Sequence, residues 1–246
     1  MIRPEYLQTF FIPKKPGKTL PKPDWSKPFA ILTAYNPGGR KQDTKANEES
    51  SKKLRQALSR KFLPKHRVTA VSEDWSHEEK SFAVWGLNHQ TASEIGRQFR
   101  QDAYFWVENG SVSVHSCQLE SPPAPASLGL WEDRLRTHRD RPNRNVYVIR
   151  LDPAGMQNKK AFWKANPNHK KDRDLLYVGT SILTPAERFA QHQAGTKANR
   201  YVRNHGTALA EEYFRALPKL TSKNYKKEEK KYADQLRSKG HAVWQN

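Results

Sequence analysis

The fold of the C-terminal part is decided by the stretch DLLYVGTSILTPAERFAQH, residues 174–192. Its first eight residues are rich in apolar side chains, which predicts a buried strand. Thr184 follows with a hydroxyl that can cap a helix, Pro185 suits the first helical position, and Glu187 can close a capping box. The stretch therefore predicts a strand followed directly by a helix, and Gly195 suits the end of that helix.

The neighbouring sequence predicts the other elements of the same domain. A second strand, NVYVIRL, is expected at 145–151, joined to the first by a polar, lysine-rich segment. The later elements are expected to be a helix around 198–204, a strand at 212–217, a helix at about 222–239 and an edge strand at 241–244. The expected architecture is a small antiparallel sheet flanked by helices.

The rest of the chain divides into segments of different composition. Between residues 29 and 117, apolar strand-like runs alternate with charged helix-like periods, which predicts an α/β domain at 29–120. Residues 1–28 contain six prolines among lysines, which predicts an extended basic arm. Residues 121–144 mix proline, alanine and charge, as linkers do. The predicted fold class is α/β (α+β), with the second domain at 145–246.

The chain carries a large excess of positive charge. Lysine and arginine total 44 against 25 acidic residues, for a net charge of +19. Of this excess, +13 lies on residues 141–246, which have 22 basic and 9 acidic residues. Such a field concentrates polyanions and speeds their capture, so nucleic acid is the predicted partner, DNA before RNA. Solubility and attraction to an anionic membrane are the alternatives.

Membrane and disulfide-rich classes find no support in the sequence. No stretch approaches the roughly 20 apolar residues of a spanning helix, and the N-terminus lacks the pattern of a signal peptide, so a cytoplasmic location is expected. Cys117 is the only cysteine. A single cysteine excludes both an intramolecular disulfide and a cysteine-clustered zinc site.

Five side chains in the C-terminal part have the chemistry of a phosphodiester hydrolase. Tyr147 and Tyr177 lie on the two predicted strands, Arg188 and His192 lie four residues apart on one helical face, and Glu229 lies on a later helix. A carboxylate can hold a divalent cation, a phenol or imidazole can orient and deprotonate water, and a guanidinium can neutralise the phosphorane. The order of these residues predicts one shared cleft.

The same residues resemble the GIY-YIG nuclease superfamily over about 145–246. The family's first motif matches Asn145–Tyr147 and its second matches Tyr177–Gly179, while Arg188 and His192 in ERFAQH match its helix arginine and histidine. The family has its metal-binding glutamate on a later helix, which EEKKYADQLRSKG fits. The family often carries a following asparagine, for which Asn246 is the candidate.

The resemblance implies a role for each residue. Tyr147 and Tyr177 activate or orient water, Arg188 stabilises the charge of the transition state, His192 acts as a base or contacts phosphate, and Glu229 holds the metal. The implied cofactor is a divalent metal, Mg²⁺ first and Mn²⁺ second. The predicted nucleic-acid contacts are Lys197, Arg200, Arg203, Lys226 and Lys227.

Two neighbouring glutamates compete for the metal. Glu229 shares a helical face with Tyr232, Ala233 and Leu236, whereas Glu228 lies with the solvent side. A catalytic carboxylate should emerge from the packed face, so Glu229 is preferred.

In the N-terminal part, the first predicted strand ends in TAYNP at 33–37, and Asn47, a helix and an acidic-aromatic stretch follow. Residues 29–117 thereby resemble the bacterial domain of unknown function DUF3293, which implies no activity. The domain is expected to recognise a nucleic-acid structure, a protein partner or a small regulatory ligand, and the sequence does not choose among them. Its candidate ligand-binding residues are Asn36, Asn47, Glu79, Arg97 and Gln101, and their alternative role is to form caps and turns.

Three histidines of this domain lie too far apart in the sequence for the spacing of metal ligands, so they predict no metal site: His66, His77 and His89.

Taken together, these features predict a metal-dependent endonuclease whose N-terminal domain serves targeting or regulation. A catalytically inactive nucleic-acid-binding protein that retains the nuclease fold is the alternative.

Overall fold

The computed structural model describes residues 2–15, 23–118 and 122–245. The chain divides into two compact units, residues 1–138 and residues 139–246. Each unit contains helices packed on its own β-sheet, so the predicted α/β (α+β) class is confirmed. No described helix is long and apolar enough to span a membrane.

The first unit is built on a curled antiparallel sheet of seven strands, in the order β1-β3-β4-β2-β5-β6-β7. Three α-helices accompany it: α1 Pro4–Leu7, α2 Thr44–Arg60 and α3 His89–Gln98. Short 3₁₀ helices lie at Pro37–Gly39 and Glu132–Arg134, and a third at His138–Asp140. The strands are β1 Thr9–Pro13, β2 Phe29–Thr33, β3 Lys65–Ser72, β4 Glu78–Trp85, β5 Ala103–Glu108, β6 Ser111–Ser116 and β7 Ala126–Leu130.

Each face of this sheet buries its own apolar cluster. Leu54 and Leu58 of α2 and Ile95 of α3 pack on one face against residues such as Leu32 and Phe82. The opposite face has a separate cluster to which all seven strands contribute. Side chains alternate between the two faces along each strand, so nearly every apolar strand residue is buried.

The prediction of an extended arm at 1–28 was wrong for its middle part. Residues 9–13 form β1, which pairs with β3 at the sheet edge, and Phe11 is 0% exposed. The run TFFI supplies enough apolar surface to join the sheet. Pro13 is compatible with this position because an edge strand tolerates a residue without a backbone N–H.

The predicted linker at 121–144 was also wrong. Residues 126–130 form β7 on β6, and Trp131 is 6% exposed, with its ring 5.3 Å from that of Phe11. Strand β8 already begins at Pro142. The boundary between the units therefore lies near 138, because the aromatic surface of Trp131 outweighs the prolines before it.

The second unit contains a smaller sheet in the order β10-β8-β9-β12, and β11 also pairs with β8. Its pairings are antiparallel except that β12 joins β9 in parallel, so the sheet is mixed. The strands are β8 Pro142–Leu151, β9 Leu175–Ser181, β10 Gly206–Leu209, β11 Leu220–Thr221 and β12 Ala242–Trp244. The helices are α4 Pro153–Met156, α5 Lys160–Lys164, α6 Pro185–Gln193, α7 Arg200–His205 and α8 Tyr225–Ser238.

Most predicted elements of this unit are confirmed. Helix α6 begins with the complete capping box of Thr184 and Glu187. The strand predicted at 212–217 was wrong, because Glu211–Tyr213 is a 3₁₀ helix. The Glu211 carbonyl accepts hydrogen bonds from the backbone N–H groups of Phe214 and Arg215, and this local turn replaces strand pairing.

Candidate active site

The two tyrosines are fixed by the register of β8 and β9. Tyr147 lies directly opposite Gly179, two residues beyond Tyr177, and the two rings lie 6.0 Å apart on the same face of the sheet. An added Cβ at Gly179 would lie 2.6 Å from the Tyr147 hydroxyl. Glycine is therefore required at this position by the close approach of the tyrosine.

His192 forms the buried inner part of the site. It lies in the last turn of α6, is 0% exposed, and its Nε2 lies 2.9 Å from the Tyr147 hydroxyl oxygen. Its Nδ1 accepts the backbone N–H of Asn199 at 3.1 Å. A backbone N–H can only donate, so the neutral ring carries its proton on Nε2 and donates it to Tyr147. Burial lowers the pKa of His192 to about 4, with Arg188 adding to the shift, so the ring is neutral at pH 7.

This geometry changes the role predicted for His192. Both ring nitrogens are engaged inside the protein, and the ring is closed to solvent. His192 therefore holds the Tyr147 hydroxyl, and neither ring nitrogen is left open to act as a base or to contact phosphate.

Arg188 lies one turn before His192 and is half-buried. Its Nη1 donates to Gln191 Oε1 at 2.9 Å, and its Nη2 donates to the Lys197 carbonyl at 2.9 Å. These two bonds fix the guanidinium beside the tyrosines.

Both tyrosines are neutral phenols at neutral pH. Burial raises the pKa of Tyr147, and the interactions with Arg188 and Tyr177 oppose this shift only in part. Burial also raises the pKa of Tyr177 far above its usual value, and the neighbouring Tyr147 adds to the shift. Tyr147 and Tyr177 are 1% and 0% exposed, so neither serves as a ready phenolate on an open surface.

Glu229 approaches the same end of β9 from α8. Its Oε2 accepts the Thr180 hydroxyl at 2.7 Å, and Thr180 points to the face opposite Tyr177 and Gly179. Burial raises the pKa of the Glu229 carboxyl, and the Thr180 hydrogen bond and the charges of Arg144 and Lys226 oppose it. Glu229 is close enough to raise the pKa of both tyrosines. The prediction of one shared cleft is therefore wrong in its geometry: Tyr147, Tyr177 and His192 are buried, and the sheet separates the tyrosines from the Glu229 carboxylate.

The donor set near Glu229 suits one class of cation. Among the described residues, no group of three or more His, Cys, Asp or Glu side chains could hold a metal ion. Mg²⁺ is usually bound through one or two carboxylates together with waters and substrate phosphates. A single carboxylate beside a hydroxyl fits that pattern and does not fit a structural zinc site.

Three further residues contribute to the site and were missed in the sequence. Thr180 holds the Glu229 carboxylate, and the Asn199 backbone fixes the tautomer of His192. The Arg144 guanidinium lies 4.1 Å from the Tyr225 ring centre, and its buried Nε has no partner among the described residues. A polar residue directly after a strand motif, as in VGT, is the signal that could have found Thr180. Asn246 lies outside the described residues.

The predicted nucleic-acid contacts are all on the surface. Lys197 follows Arg188 through the loop after α6, and Lys226 lies one turn before Glu229. None of the five cations forms an ion pair within the described part of the chain. All of them are exposed: Lys197, Arg200, Arg203, Lys226 and Lys227.

The polar candidates of the first unit serve its structure. Asn36 has a left-handed backbone with φ 49°, and its side chain accepts from Asn47 Nδ2 at 3.0 Å and donates to Glu79 at 3.1 Å. Gln101 donates to the Tyr35 carbonyl, and Arg97 donates to the Cys117 carbonyl. The arrangement favours the cap and turn role.

Of three comparisons with known proteins, one finds a match, and it covers part of the chain. The family model described as "Protein of unknown function (DUF3293)" matches residues 32–104. Neither the curated proteins nor the solved structures give a match. The comparisons lend no support to the GIY-YIG resemblance of residues 145–246, which stays a prediction. Residues 32–104, which contain β3, β4 and both long helices together with the end of β2 and the start of β5, match the DUF3293 family model.

Proposed function

We propose that residues 139–246 form a metal-dependent endonuclease that hydrolyses phosphodiester bonds in nucleic acid. The observation that carries the proposal is the fixed guanidinium of Arg188, held by Gln191 and the Lys197 carbonyl beside the buried Tyr147. A cation held in place before the reaction costs no reorganisation when phosphorane charge develops.

The buried residues have a positioning role in this proposal. His192 donates to Tyr147, and the Tyr147 hydroxyl in turn lies beside Arg188. The two phenols adjoin the guanidinium from the buried side of the site. Thr180 orients the Glu229 carboxylate for a divalent cation, Mg²⁺ or Mn²⁺. Such a cation polarises a phosphate and lowers the pKa of water when it is bound.

The surface charge supports nucleic acid as the substrate. The exposed cations beside Arg188 and Glu229 are free to contact phosphates, and DNA is the first choice over RNA. The DUF3293 domain would serve targeting or regulation through a ligand or a protein partner.

The second candidate is a nucleic-acid-binding protein without catalytic activity. The observation that favours it is the burial of Tyr147, Tyr177 and His192, which leaves no phenol or imidazole open to substrate. The exposed cations alone would be enough for binding.

A pair of neighbouring substitutions separates the two candidates. Glu229→Ala should lower the rate of nucleic-acid cleavage by at least about hundredfold, because it removes the carboxylate that holds the cation. Affinity for nucleic acid should stay within about twofold, because the basic surface is unchanged. Glu228→Ala is the matched control and should retain cleavage.

Equal cleavage by the two variants would show that Glu229 is not the metal ligand. A chain that binds nucleic acid but cleaves none, with either residue in place, would establish the second candidate.

A further inference from the structure

A groove of about 650 Å³ opens beside α2 in the first unit. Helices α2 and α3 contact the central strands β2, β4 and β5, whereas β3 and the edge strand β1 extend beyond them. Arg67 of β3 lies opposite Phe82, and Phe82 packs with Leu54 of α2. The side chain of Arg67 therefore points to the α2 side of the sheet, where it forms a wall of the groove. We call this feature the α2 groove.

The α2 groove carries a local excess of positive charge. Residues 1–138 have 21 basic and 15 acidic residues, for a net charge of +6. Two carboxylates line the groove, Glu48 and Glu49, and Glu48 is paired with Lys80. The other groove cations form no ion pair within the described residues. Six basic side chains line it: Lys14, Lys45, Lys52, Arg55, Arg67 and Lys80.

The floor of the groove offers hydrogen-bond donors as well as charge. The hydroxyls of Ser51 and Thr69 line it and form no hydrogen bond within the described part of the chain. Ile12, which lies opposite Thr69, adds apolar surface. Cations with hydroxyl donors at their base are the groups that proteins use for phosphate oxygens and sugars.

We propose that the α2 groove binds the sugar-phosphate backbone of a single nucleic-acid strand. Its volume lies within the roughly 300–1,000 Å³ of small-ligand sites, which accommodates a short stretch of one strand rather than a duplex. Unpaired cations on neighbouring elements suit consecutive phosphates. The groove belongs to the first unit, whereas Glu229 and Arg188 belong to the second, so it gives the first unit a binding role that does not depend on cleavage.

The test uses the full chain with Glu229→Ala and EDTA, so that binding is measured without cleavage. The groove variant combines Lys52→Gln, Arg55→Gln and Arg67→Gln. The probe is a fluorescein-labelled single-stranded 12-mer, titrated by anisotropy between 50 and 200 mM salt. Each lost phosphate contact removes about 0.7 from the log–log salt slope, so the slope should fall by about 2. Affinity at the lower salt should fall by about tenfold or more.

A second variant controls for net charge. Lys53→Gln, Arg60→Gln and Lys61→Gln remove the same three charges from exposed positions outside the groove. This variant should bind within about twofold of the parent chain. Equal losses in both variants, or no loss in the groove variant, would overturn the proposal. So would competition by a nucleoside monophosphate as strong as that by the 12-mer, which would identify a small-molecule pocket instead.

Discussion

The two units use their polar side chains in opposite ways. In residues 1–138, Asn36 bonds to both Asn47 and Glu79, and six basic side chains line one groove. In residues 139–246, polar side chains lie in the core, where the Tyr147 hydroxyl on β8 and the His192 ring on α6 form a hydrogen bond. A fold that needs only stability gains little from a buried imidazole, because burying a polar group costs free energy unless it is fully bonded. The contrast is consistent with the proposal that the second unit carries the chemistry.

The salt dependence of binding gives the largest expected effect. A fragment of residues 139–246 should lose about a thousandfold or more in affinity between 50 and 200 mM salt, since several phosphate contacts release counterions. It holds +13 of the net +19 charge. A fragment of residues 1–138 should show a shallower slope, because its excess charge of +6 is smaller. Titration of both fragments with one duplex and one single strand measures the difference.

If the first fragment bound as tightly and with as steep a slope, nucleic-acid capture would belong to the DUF3293 domain. The contrast between the units would then be wrong.

The packing around Gly179 predicts an effect on stability. Gly179→Ala should lower the free energy of unfolding by about 1–3 kcal/mol, because the new methyl would overpack the site. The methyl would meet the Tyr147 hydroxyl at 2.6 Å and Tyr177 Cε1 at 2.9 Å. Gly110→Ala in the first unit is the control, since an added Cβ there has nothing within 4 Å and its φ of +72° is the sole source of strain. Urea unfolding of both variants provides the values.

A cost at Gly179 no greater than that at Gly110 would mean that the two tyrosines do not crowd β9 as described.

The sequence predicted local signals well and long-range packing poorly. The capping box of Thr184 and the two tyrosine strands depend on neighbouring residues, and both are confirmed. Phe11 and Trp131 were assigned to an arm and a linker, because their partners lie more than 100 residues away along the chain or in another part of the sheet. No local pattern contains that information.

The sequence predicted which residues make up the candidate site, but not the role of each side chain in it. Periodicity placed Tyr147 and Glu229 on packed faces, yet it could not show that a sheet lies between them. The tautomer of His192 depends on the Asn199 backbone, which only the loop after α6 brings into reach. Burial and tautomer are properties of the folded chain, so they could not be inferred from spacing.

The pH dependence of stability gives the smallest effect. The folded His192 has a pKa of about 4, below the roughly 6.5 of an unfolded histidine, so the unfolded chain binds more protons between these values. Stability from His192 is fully present above about pH 6.5 and falls as the pH is lowered toward 4, by at most about 1.4 kcal/mol per unit. Urea unfolding at pH 7.5 and pH 5 should show a smaller difference in His192→Gln than in the parent chain. Identical differences would mean that the ring is not held neutral in the fold.

The most direct test of the central claim, that residues 139–246 are a metal-dependent nuclease, is a nicking assay. The full chain is incubated with supercoiled plasmid DNA and with a structured RNA, in Mg²⁺ and in EDTA, and products are resolved on gels. We predict nicking in Mg²⁺, stronger on DNA than on RNA, and none in EDTA. Binding without any cleavage in Mg²⁺ or Mn²⁺, or cleavage that EDTA leaves unchanged, would contradict the account.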